Sequence, residues 1–566
     1  MVYADLLILN GKVLTVDKDF SIKEAIAVKD GLIIDVGNTD DVKRLAGPQT
    51  KVIDLEGKTI LPGAHDAHMH ATLTGILMNP SFFNLYYPNI KSLKELKAKL
   101  ADRVKNTPPG TWICGLGWNT ALMEEFAGNL LAPITRYDLD EVSPDHPVFL
   151  IHFSCNQLVA NSKAIELAGI TKDTPGKGVI KDPQTGEPTG MFEGFPAQVL
   201  IGKCAPLPSV EEIKQYIKLC QEELNRNGYT SHTDAGLGVG ADHLMAGLWG
   251  SVAVDAYQQM SRDKELTCRV SIGLFLFIDS IHSYENMLKG FEKTDLSKYN
   301  ADPSWVGLWL KIRADGMPLN YTIWMDKDQK CGHHGSSTFP GGTDEEQYKD
   351  FLKTIKYLHK NGWQIGVHGM GELTVTKSID AFVAAMEEFP NNDPRHYIIH
   401  GELITPEQAK VCAKYNIGLS IQPTNDSVLF SIYDELYTWE GGPISENMAP
   451  FKMLIDRGVN VAGGSDAPVS MPNWRQSVQA AVTRKSILNG EIYGIENAIS
   501  VEDGIRMFTI NGAIQEHAEK SRGSIEIGKV ADFQVLGQDI LTVDKEKIGQ
   551  IPVLMTIVDG KIVYSA

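Results

Sequence analysis

The sequence predicts an α/β protein built on a closed (β/α)8 TIM barrel. A small β-sandwich domain made from both termini and a subdomain inserted after barrel strand 1 complete the fold. Three observations lead to this prediction. The middle of the chain alternates apolar, strand-like segments with amphipathic helices, which is typical of βαβ units and a parallel sheet. Both ends of the chain are rich in short strands, and one long gap separates the first two barrel strands.

Eight apolar segments qualify as barrel strands. Amphipathic stretches such as 211–228 and 344–362 lie between them, and both of these end in Gly, a common helix stop. Eight such units close into a barrel whose active site forms at the C-terminal ends of the strands. The predicted strands are 60–66, 229–234, 268–277, 306–313, 363–368, 396–400, 416–421 and 459–465.

The two ends of the chain predict one composite β-sandwich domain, formed by residues 1–60 and 520–566. LLILN, Gly11 and KVLTV predict a hairpin, and the Asp-Gly pairs at 30–31 and 559–560 mark two further hairpin turns. The barrel then comprises residues 61–70 and 206–519. Because no barrel strand is predicted between residues 70 and 229, we interpret residues 71–205 as an inserted subdomain over the barrel mouth.

Composition and charge exclude several classes of protein. The 566 residues carry a formal net charge of −18 with no basic cluster, which argues against nucleic acid as a partner. No apolar run reaches the ~18 residues of a membrane span, and the N-terminus lacks the features of a signal peptide. The seven cysteines are odd in number and scattered, which favours a reducing cytoplasm over a disulfide framework. A homodimer is a further expectation.

The strongest chemical signal is the segment TILPGAHDAHMH. His68 and His70 end an apolar strand at i, i+2 spacing, which places both imidazoles on one face of the strand. Asp66 shares this parity, so we expect it to support the two histidines from behind. His65 does not share it and is interpreted as a structural or surface residue.

Polar side chains also end four other predicted barrel strands, namely Lys311, His368, His400 and Asp466. Any one of them alone could be a satisfied core residue or a cap. The carboxyl ends of all barrel strands meet at one mouth, so together with the two histidines of strand one they predict a metal centre. Histidine ligands suit zinc, with iron, manganese and nickel as alternatives.

These residues and several motifs resemble the amidohydrolase superfamily, in the branch that contains N-substituted formamide deformylases. The matching stretches include LPGAHDAHMH, GLGWN, LKIRADG, VHGMGE, GGSDAPV and GSIEIGKVADFQVL. The resemblance implies two metal ions, with His68, His70 and Asp466 on one. It implies that His368 and His400 bind the second.

Lys311 would bridge both metals as a carbamate made with carbon dioxide, according to the same resemblance. A carbamate offers two anionic oxygens to two cations, whereas an unmodified ammonium beside two divalent metals would be repelled. The alternative is an ordinary lysine that bonds a carboxylate such as Asp315, with only one metal bound.

The sequence departs from the branch at two places. Asn156 stands where a histidine is common, and Thr233 stands just before Asp-Ala-Gly where a histidine is frequent, with His232 one place earlier. Aromatic residues of the insert suggest a small-molecule substrate that is aromatic or otherwise hydrophobic. The candidate substrate-binding residues are Trp118, Asn156, Glu193, Asn320 and Tyr321.

The predicted function is hydrolysis of a carbon–nitrogen bond other than a peptide bond, in an amide, formamide or cyclic amide. Divalent metals lower the pKa of a bound water towards ~7 and polarise the scissile carbonyl, so that hydroxide is available at neutral pH. Asp466 would act as base and then as acid.

Three alternatives to this function remain open. Ester, lactone or carbamate hydrolysis and deamination would use the same metal-activated water. A non-catalytic scaffold is the alternative outside the enzymes. A scaffold, however, would have no reason to retain six metal-binding side chains.

Overall fold

The computed structural model describes residues 3–80, 82–126, 133–153, 157–176, 178–242, 249–390, 393–437 and 444–566. Its strands fall into four sheets, two at the chain ends, one in the insert and one in the barrel. In chain order the strands are β1 (Leu6–Leu9), β2 (Lys12–Leu14), β3 (Ile22–Lys23), β4 (Ala25–Lys29), β5 (Leu32–Gly37), β6 (Lys51–Asp54), β7 (Thr59–Pro62), β8 (Ala64–Met69), β9 (Phe83–Asn84), β10 (Ile113–Trp118), β11 (Val148–His152), β12 (Gln157–Ala160), β13 (Val179–Lys181), β14 (Pro188–Glu193), β15 (Tyr229–Leu237), β16 (Arg269–Leu274), β17 (Val306–Arg313), β18 (Ile365–Gly369), β19 (Tyr397–His400), β20 (Gly418–Ile421), β21 (Val461–Gly463), β22 (Phe533–Leu536), β23 (Val553–Val558) and β24 (Lys561–Ser565).

The longer helices alternate with the barrel strands. In chain order the α-helices are α1 (Thr39–Val42), α2 (Ala71–Met78), α3 (Leu93–Lys105), α4 (Arg136–Asp140), α5 (Ser162–Leu167), α6 (Phe195–Gly202), α7 (Val210–Arg226), α8 (Gly250–Arg262), α9 (Tyr284–Lys293), α10 (Asp344–Lys360), α11 (Glu372–Glu388), α12 (Pro406–Tyr415), α13 (Pro423–Leu436), α14 (Ile444–Asn447), α15 (Phe451–Asp456), α16 (Trp474–Thr483), α17 (Val501–Met507) and α18 (Ile510–Gln515). None of the helices in the described ranges is both long enough and apolar enough to cross a membrane.

Eight parallel strands form the barrel, in the order β8, β15, β16, β17, β18, β19, β20 and β21. The first and last strands meet at the mouth, where the Asp466 amide donates to the His68 carbonyl at 2.8 Å. Trp309 and Tyr397, with ring centroids 5.3 Å apart, fill the interior beside two smaller apolar side chains. The predicted (β/α)8 barrel is confirmed.

The first barrel strand differs from its prediction over 60–66. The chain changes sheets at Gly63, because the Gly63 amide donates to Asp532 and the next amide, of Ala64, donates to Gly228. Strand β7 therefore belongs to a terminal sheet and β8 to the barrel. A Cβ on Gly63 would lie 2.1 Å from the Thr230 side chain, so the switch depends on glycine. Both β7 and β8 are buried, so the apolar pattern of the sequence does not reveal where one strand ends and the next begins.

The chain ends contribute two sheets, ordered β5-β4-β1-β6 and β24-β23-β22-β7-β2-β3. The two predicted Asp-Gly turns join β4 to β5 and β23 to β24 in antiparallel pairs. The predicted hairpin around Gly11 is wrong, since β1 and β2 lie in different sheets. The Gly11 amide donates to Glu24 and the Lys12 amide donates to Lys58, so the chain crosses between sheets there.

Strands β9 to β14 form a separate six-stranded sheet between α2 and α7. These two helices touch closely, because a Cβ on Gly75 would lie 1.8 Å from the Tyr216 carbonyl oxygen. The segment between α2 and α7 carries this sheet, and its two connections to the barrel are therefore close together.

Candidate metal centre

His68, His70 and Asp466 lie together at the barrel mouth, with one donor atom of each within 4.8 Å of the others. Asp466 Oδ1 is 3.4 Å from His68 Nε2 and 3.5 Å from His70 Nε2. The i, i+2 spacing in β8 places both imidazoles on one face, and the hydrogen bond between the first and last strands brings Asp466 beside them. A His-His-carboxylate group is a chemically suitable set of ligands for zinc.

His368 and His400, from neighbouring strands, form a second pair. His368 Nδ1 and His400 Nε2 are 3.0 Å apart. On the far side of each ring, His368 Nε2 donates to the Gly316 carbonyl at 3.0 Å, and His400 Nδ1 donates to Gln422 Oε1 at 2.6 Å. These oxygens can only accept, so each neutral ring directs a lone pair at the other. A cation between the two nitrogens relieves this repulsion, and the pair therefore fits a metal ion.

The two groups belong to one site. The ring centroids of His68 and His400 are 5.7 Å apart. His70 Nδ1 donates to the Ala235 carbonyl at 2.9 Å, which leaves the Nε2 lone pair for a cation that Asp466 would also bind. An oxygen behind a ligating histidine fixes the tautomer and the orientation of the ring, as is usual in metal sites.

Burial keeps these rings ready to act as ligands. Burial lowers the pKa of His68 and of His368 well below the ordinary value, and it lowers the pKa of His400 to about 4. The rings are therefore neutral at neutral pH, the state in which histidine binds metals. His400 (φ 73°) and Asp466 (φ 55°) also have left-handed backbone, a strained conformation that clusters at functional sites.

Lys311 lies in β17 with its side chain buried. Burial lowers the pKa of Lys311 to about 7; the charge of Asp466 opposes this shift, and the charge of Arg313 adds to it. Asp315, the alternative partner, instead accepts from the Gly371 amide at 2.8 Å and from the Thr374 hydroxyl at 2.6 Å. Within the described chain no ion pair joins Lys311 to Asp315.

Asp66 connects the first and last strands from behind the site. Its Oδ1 accepts from the His68 amide at 3.3 Å and from the Ser465 amide at 3.0 Å. It therefore holds the backbone of two ligand segments rather than an imidazole. His65 is buried, with Nδ1 2.9 Å from Ser231 Oγ and Nε2 3.4 Å from Glu516 Oε1, a structural role.

Sequence reasoning missed two residues that orient the site. Gln422 follows β20 directly, so the criterion that identified the other ligands, a polar residue at the end of an apolar strand, would have found it. Asp234 accepts from the Ala71 and Thr72 amides, both at 3.0 Å, and from the Tyr257 hydroxyl at 2.9 Å. These bonds fix the start of α2 immediately after His70.

For the three candidate substrate residues whose side chains are described, the structure shows no hydrogen bond to the candidate metal site. Trp118 is buried and its Nε1 donates to Leu150, whereas Glu193 is exposed and accepts from Gln157. Tyr321 is partly buried with left-handed backbone. Asn156 and the side chain of Asn320 lie outside the described residues.

Comparison with known proteins places this chain in a family. The sequence model of the amidohydrolase family matches residues 51–564. The chain therefore belongs to the amidohydrolase family.

Among curated relatives, the protein YtcJ of Bacillus subtilis is 28% identical over 550 residues, which cover 96% of each chain. The N-substituted formamide deformylase of Arthrobacter pascens is 27% identical over 570 residues, 99% of this chain and 98% of that protein.

A solved structure shows the same fold. It is that of an uncharacterized metal-dependent hydrolase from Pyrococcus horikoshii, with a TM-score of 0.73 and 20% identity. The match covers 95% of this chain and 99% of that one. Family and fold together support a hydrolase.

Proposed function

We propose that this protein is a zinc-dependent hydrolase that cleaves the carbon–nitrogen bond of an amide, formamide or cyclic amide. The observation that carries the proposal is the facing pair of imidazole lone pairs beside the His68, His70 and Asp466 group. Five side chains of types that bind metals lie at one barrel mouth, and this supports a metal-dependent member of the family. The full-length similarity to a formamide deformylase supports the choice of bond.

His68, His70 and Asp466 would hold one cation, and His368 with His400 would hold a second. Lys311 would bridge the two as a carbamate. Its neutral amine would add to carbon dioxide, forming a nitrogen–carbon bond and releasing one proton. Burial of Lys311 favours the neutral amine that this addition needs. When bound, the cations supply Lewis acidity and a water that is acidic enough to ionise near neutral pH.

Asp466 would move the proton. Its Oδ1 lies 3.4 Å from His68 Nε2 and 3.5 Å from His70 Nε2, so it would be next to a cation held by these two nitrogens and to the water that this cation activates. It would accept a proton from the attacking water and deliver that proton to the leaving nitrogen. General acid–base transfer of this kind contributes about 10²–10⁴-fold to the rate. The oxygens behind His70, His368 and His400 keep the ring orientations fixed.

The proposal is tested by metal analysis and native mass of protein purified without chelators, followed by turnover assays. We expect two equivalents of zinc, a mass increase equal to one carbon dioxide, and turnover of N-formylbenzylamine. One equivalent of metal without the added mass would contradict the carbamate bridge. Hydrolysis of the ester counterpart, benzyl formate, without hydrolysis of N-formylbenzylamine would contradict the assignment to carbon–nitrogen bonds.

A further inference from the structure

Two buried carboxylic acids lie beside the metal-binding residues without belonging to them. Glu402 is 3% exposed and follows His400 by two residues. Asp426 is 1% exposed and lies in the first turn of α13. The Asp426 amide donates to the Gln422 carbonyl, and Gln422 is the residue that orients His400. Both acids therefore lie within four residues of one member of the His400–Gln422 pair.

Three polar atoms of this region have no hydrogen-bond partner within the described chain. They are Glu402 Oε2, Asp426 Oδ2 and the hydroxyl of Tyr433, which lies two turns after Asp426 on α13 and is fully buried. We call these three residues the carboxyl–phenol cluster. Unpartnered buried polar atoms are uncommon in native proteins and call for a specific explanation, such as a bound group.

The neighbouring cation does not satisfy the cluster. Arg484 is buried, and its three nitrogens donate to the carbonyls of Tyr493, Ala449 and Met448 at 2.8–3.0 Å. No ion pair joins Arg484 to Asp426 in the part of the chain that the structure describes. Two acidic groups and a phenol are therefore buried here with no cationic partner in contact.

We propose that the carboxyl–phenol cluster binds a protonated amino group of the substrate. An ammonium group has three N–H donors, which matches the three unpartnered acceptors of the cluster. A multidentate metal site is disfavoured, since among the described residues the only group of His, Cys, Asp and Glu donors with metal-like spacing is His68, His70 and Asp466.

This inference rests on the proposed function and narrows its substrate class. Glu402 follows His400 by two residues, and Asp426 lies one helical turn after Gln422, the partner of His400, so a group bound at the cluster would lie near the candidate metal site. The substrate would be an amide or formamide that carries a second, protonated amine, such as an N-formylated diamine. An aromatic or otherwise hydrophobic spacer between the two nitrogens is compatible with this class.

Binding to zinc-loaded protein tests the inference independently of turnover. The probes are benzylamine, which is a cation at pH 7.5, and benzyl alcohol, which is neutral and similar in shape. We expect Glu402→Gln and Asp426→Asn to weaken benzylamine binding by at least about tenfold in calorimetry and to leave benzyl alcohol unchanged. Glu435→Gln removes an exposed acid from the same helix and should change neither.

Equal benzylamine affinity in the wild type and in both variants would overturn the inference. A second result would also overturn the inference: magnesium binds to the wild type but not to Asp426→Asn, and benzylamine does not bind. The cluster would then be a site for an inorganic cation. Tyr433→Phe provides a third variant if Glu402→Gln fails to fold or loses zinc, because it removes one acceptor without a change in charge. It should weaken benzylamine binding alone.

Turnover then separates this inference from the proposed function. We expect kcat/KM for the mono-formyl derivative of 1,4-bis(aminomethyl)benzene to exceed that for N-formylbenzylamine by about tenfold or more, with the advantage lost in Asp426→Asn. If neither compound is hydrolysed while benzylamine binding still requires the cluster, the hydrolase assignment fails and the amine site stands. If both are hydrolysed at equal rates in every variant, the hydrolase stands and the amine site fails.

Discussion

Three of the four imidazoles of the candidate metal site, those of His70, His368 and His400, are oriented by an oxygen on the far side of the ring. The Ala235 and Gly316 carbonyls and the Gln422 amide oxygen each accept a hydrogen bond from one ring nitrogen and so determine which nitrogen is available to a metal. Two of these acceptors belong to the backbone. Any residue type could supply them, and the side-chain pattern of the sequence carries no trace of them.

Replacement of Gln422 tests this orientation. We expect Gln422→Leu to lower zinc affinity by about 10–100-fold, because His400 loses the acceptor that holds its tautomer. Gln422→Glu retains an acceptor for His400 Nδ1 and should keep zinc affinity close to that of the wild type. Competition with a chromophoric chelator measures both. Equal loss in the two variants would contradict a role in fixing the tautomer.

Replacement of Asp466 tests the proton shuttle. We expect Asp466→Asn to reduce kcat by at least about 100-fold, since an amide oxygen cannot accept and return the proton. Zinc analysis of the same sample shows how much metal the variant retains. Asp456→Asn, which removes an exposed carboxylate at the end of α15, is the control. Near-normal turnover by a zinc-loaded Asp466→Asn protein would refute the assignment.

The residues of the candidate site were predictable to the extent that they end apolar strands. His68, His70, His368, His400 and Asp466 satisfied this criterion, and the structure places them together. Glu402 and Asp426 did not, because one lies in a turn and the other in a helix. Their relevance depends on a contact between neighbouring barrel units, which strand patterns do not encode.

At the scale of elements, helices α2 and α7 approach each other through Gly75. Glycine inside a helix normally costs about 1 kcal/mol relative to alanine. Here a Cβ would lie 1.8 Å from the Tyr216 carbonyl oxygen, so backbone must move to admit it. The close packing of the two helices therefore reverses the usual effect of the substitution.

We predict that Gly75→Ala destabilises the protein by roughly 1–3 kcal/mol, the range for overpacked sites. Gly37→Ala is the matched control, since its nearest neighbour would be 3.8 Å away, at ordinary contact distance. Thermal unfolding followed by circular dichroism compares the two. A higher unfolding midpoint for Gly75→Ala than for the wild type would contradict the prediction, because it would show that the two helices move apart without cost.

Element boundaries were predictable where turn chemistry marks them and not elsewhere. The Asp-Gly pairs correctly located two hairpins, because both positions need positive φ. At Gly11 and Gly63 the chain instead passes between sheets. The apolar residues on both sides of each glycine are buried whether or not the chain changes sheets. The apolar pattern therefore could not distinguish a change of sheet from a hairpin turn at Gly11 or from a continuous strand at Gly63.

At the scale of the whole molecule, several histidines are buried outside the metal site. Burial lowers the pKa of His396 well below the ordinary value, and it lowers the pKa of His232 to about 3. His396 Nδ1 accepts from the Ile365 amide at 3.1 Å, and its Nε2 is 2.9 Å from His359 Nδ1. A proton on His396 Nδ1 would displace the Ile365 amide.

The stability of the protein should therefore decrease as the pH falls below about 6.5. The unfolded chain binds protons at these histidines from that pH downwards, whereas the folded chain does so only below its lower pKa values. Each such residue contributes up to about 1.4 kcal/mol per pH unit in that interval. Stability is thus fully present above pH 6.5 and is lost on acidification.

Thermal midpoints between pH 5 and 8 measure this dependence. We expect His396→Gln to show a shallower decrease on acidification than the wild type, because one proton-linked group is gone. His333→Gln, at an exposed position, should follow the wild-type curve. Identical slopes for all three proteins would contradict the role of His396.

The contact between α2 and α7 also bears on how such proteins can diversify. The segment with the six-stranded sheet β9–β14 begins after one of these helices and ends before the other, so its two junctions are neighbours. Recombination could replace this segment as a cassette without shifting the register of a single barrel strand. Selection could then change substrate preference through this segment, while the barrel, which carries the candidate metal ligands, keeps its chemistry.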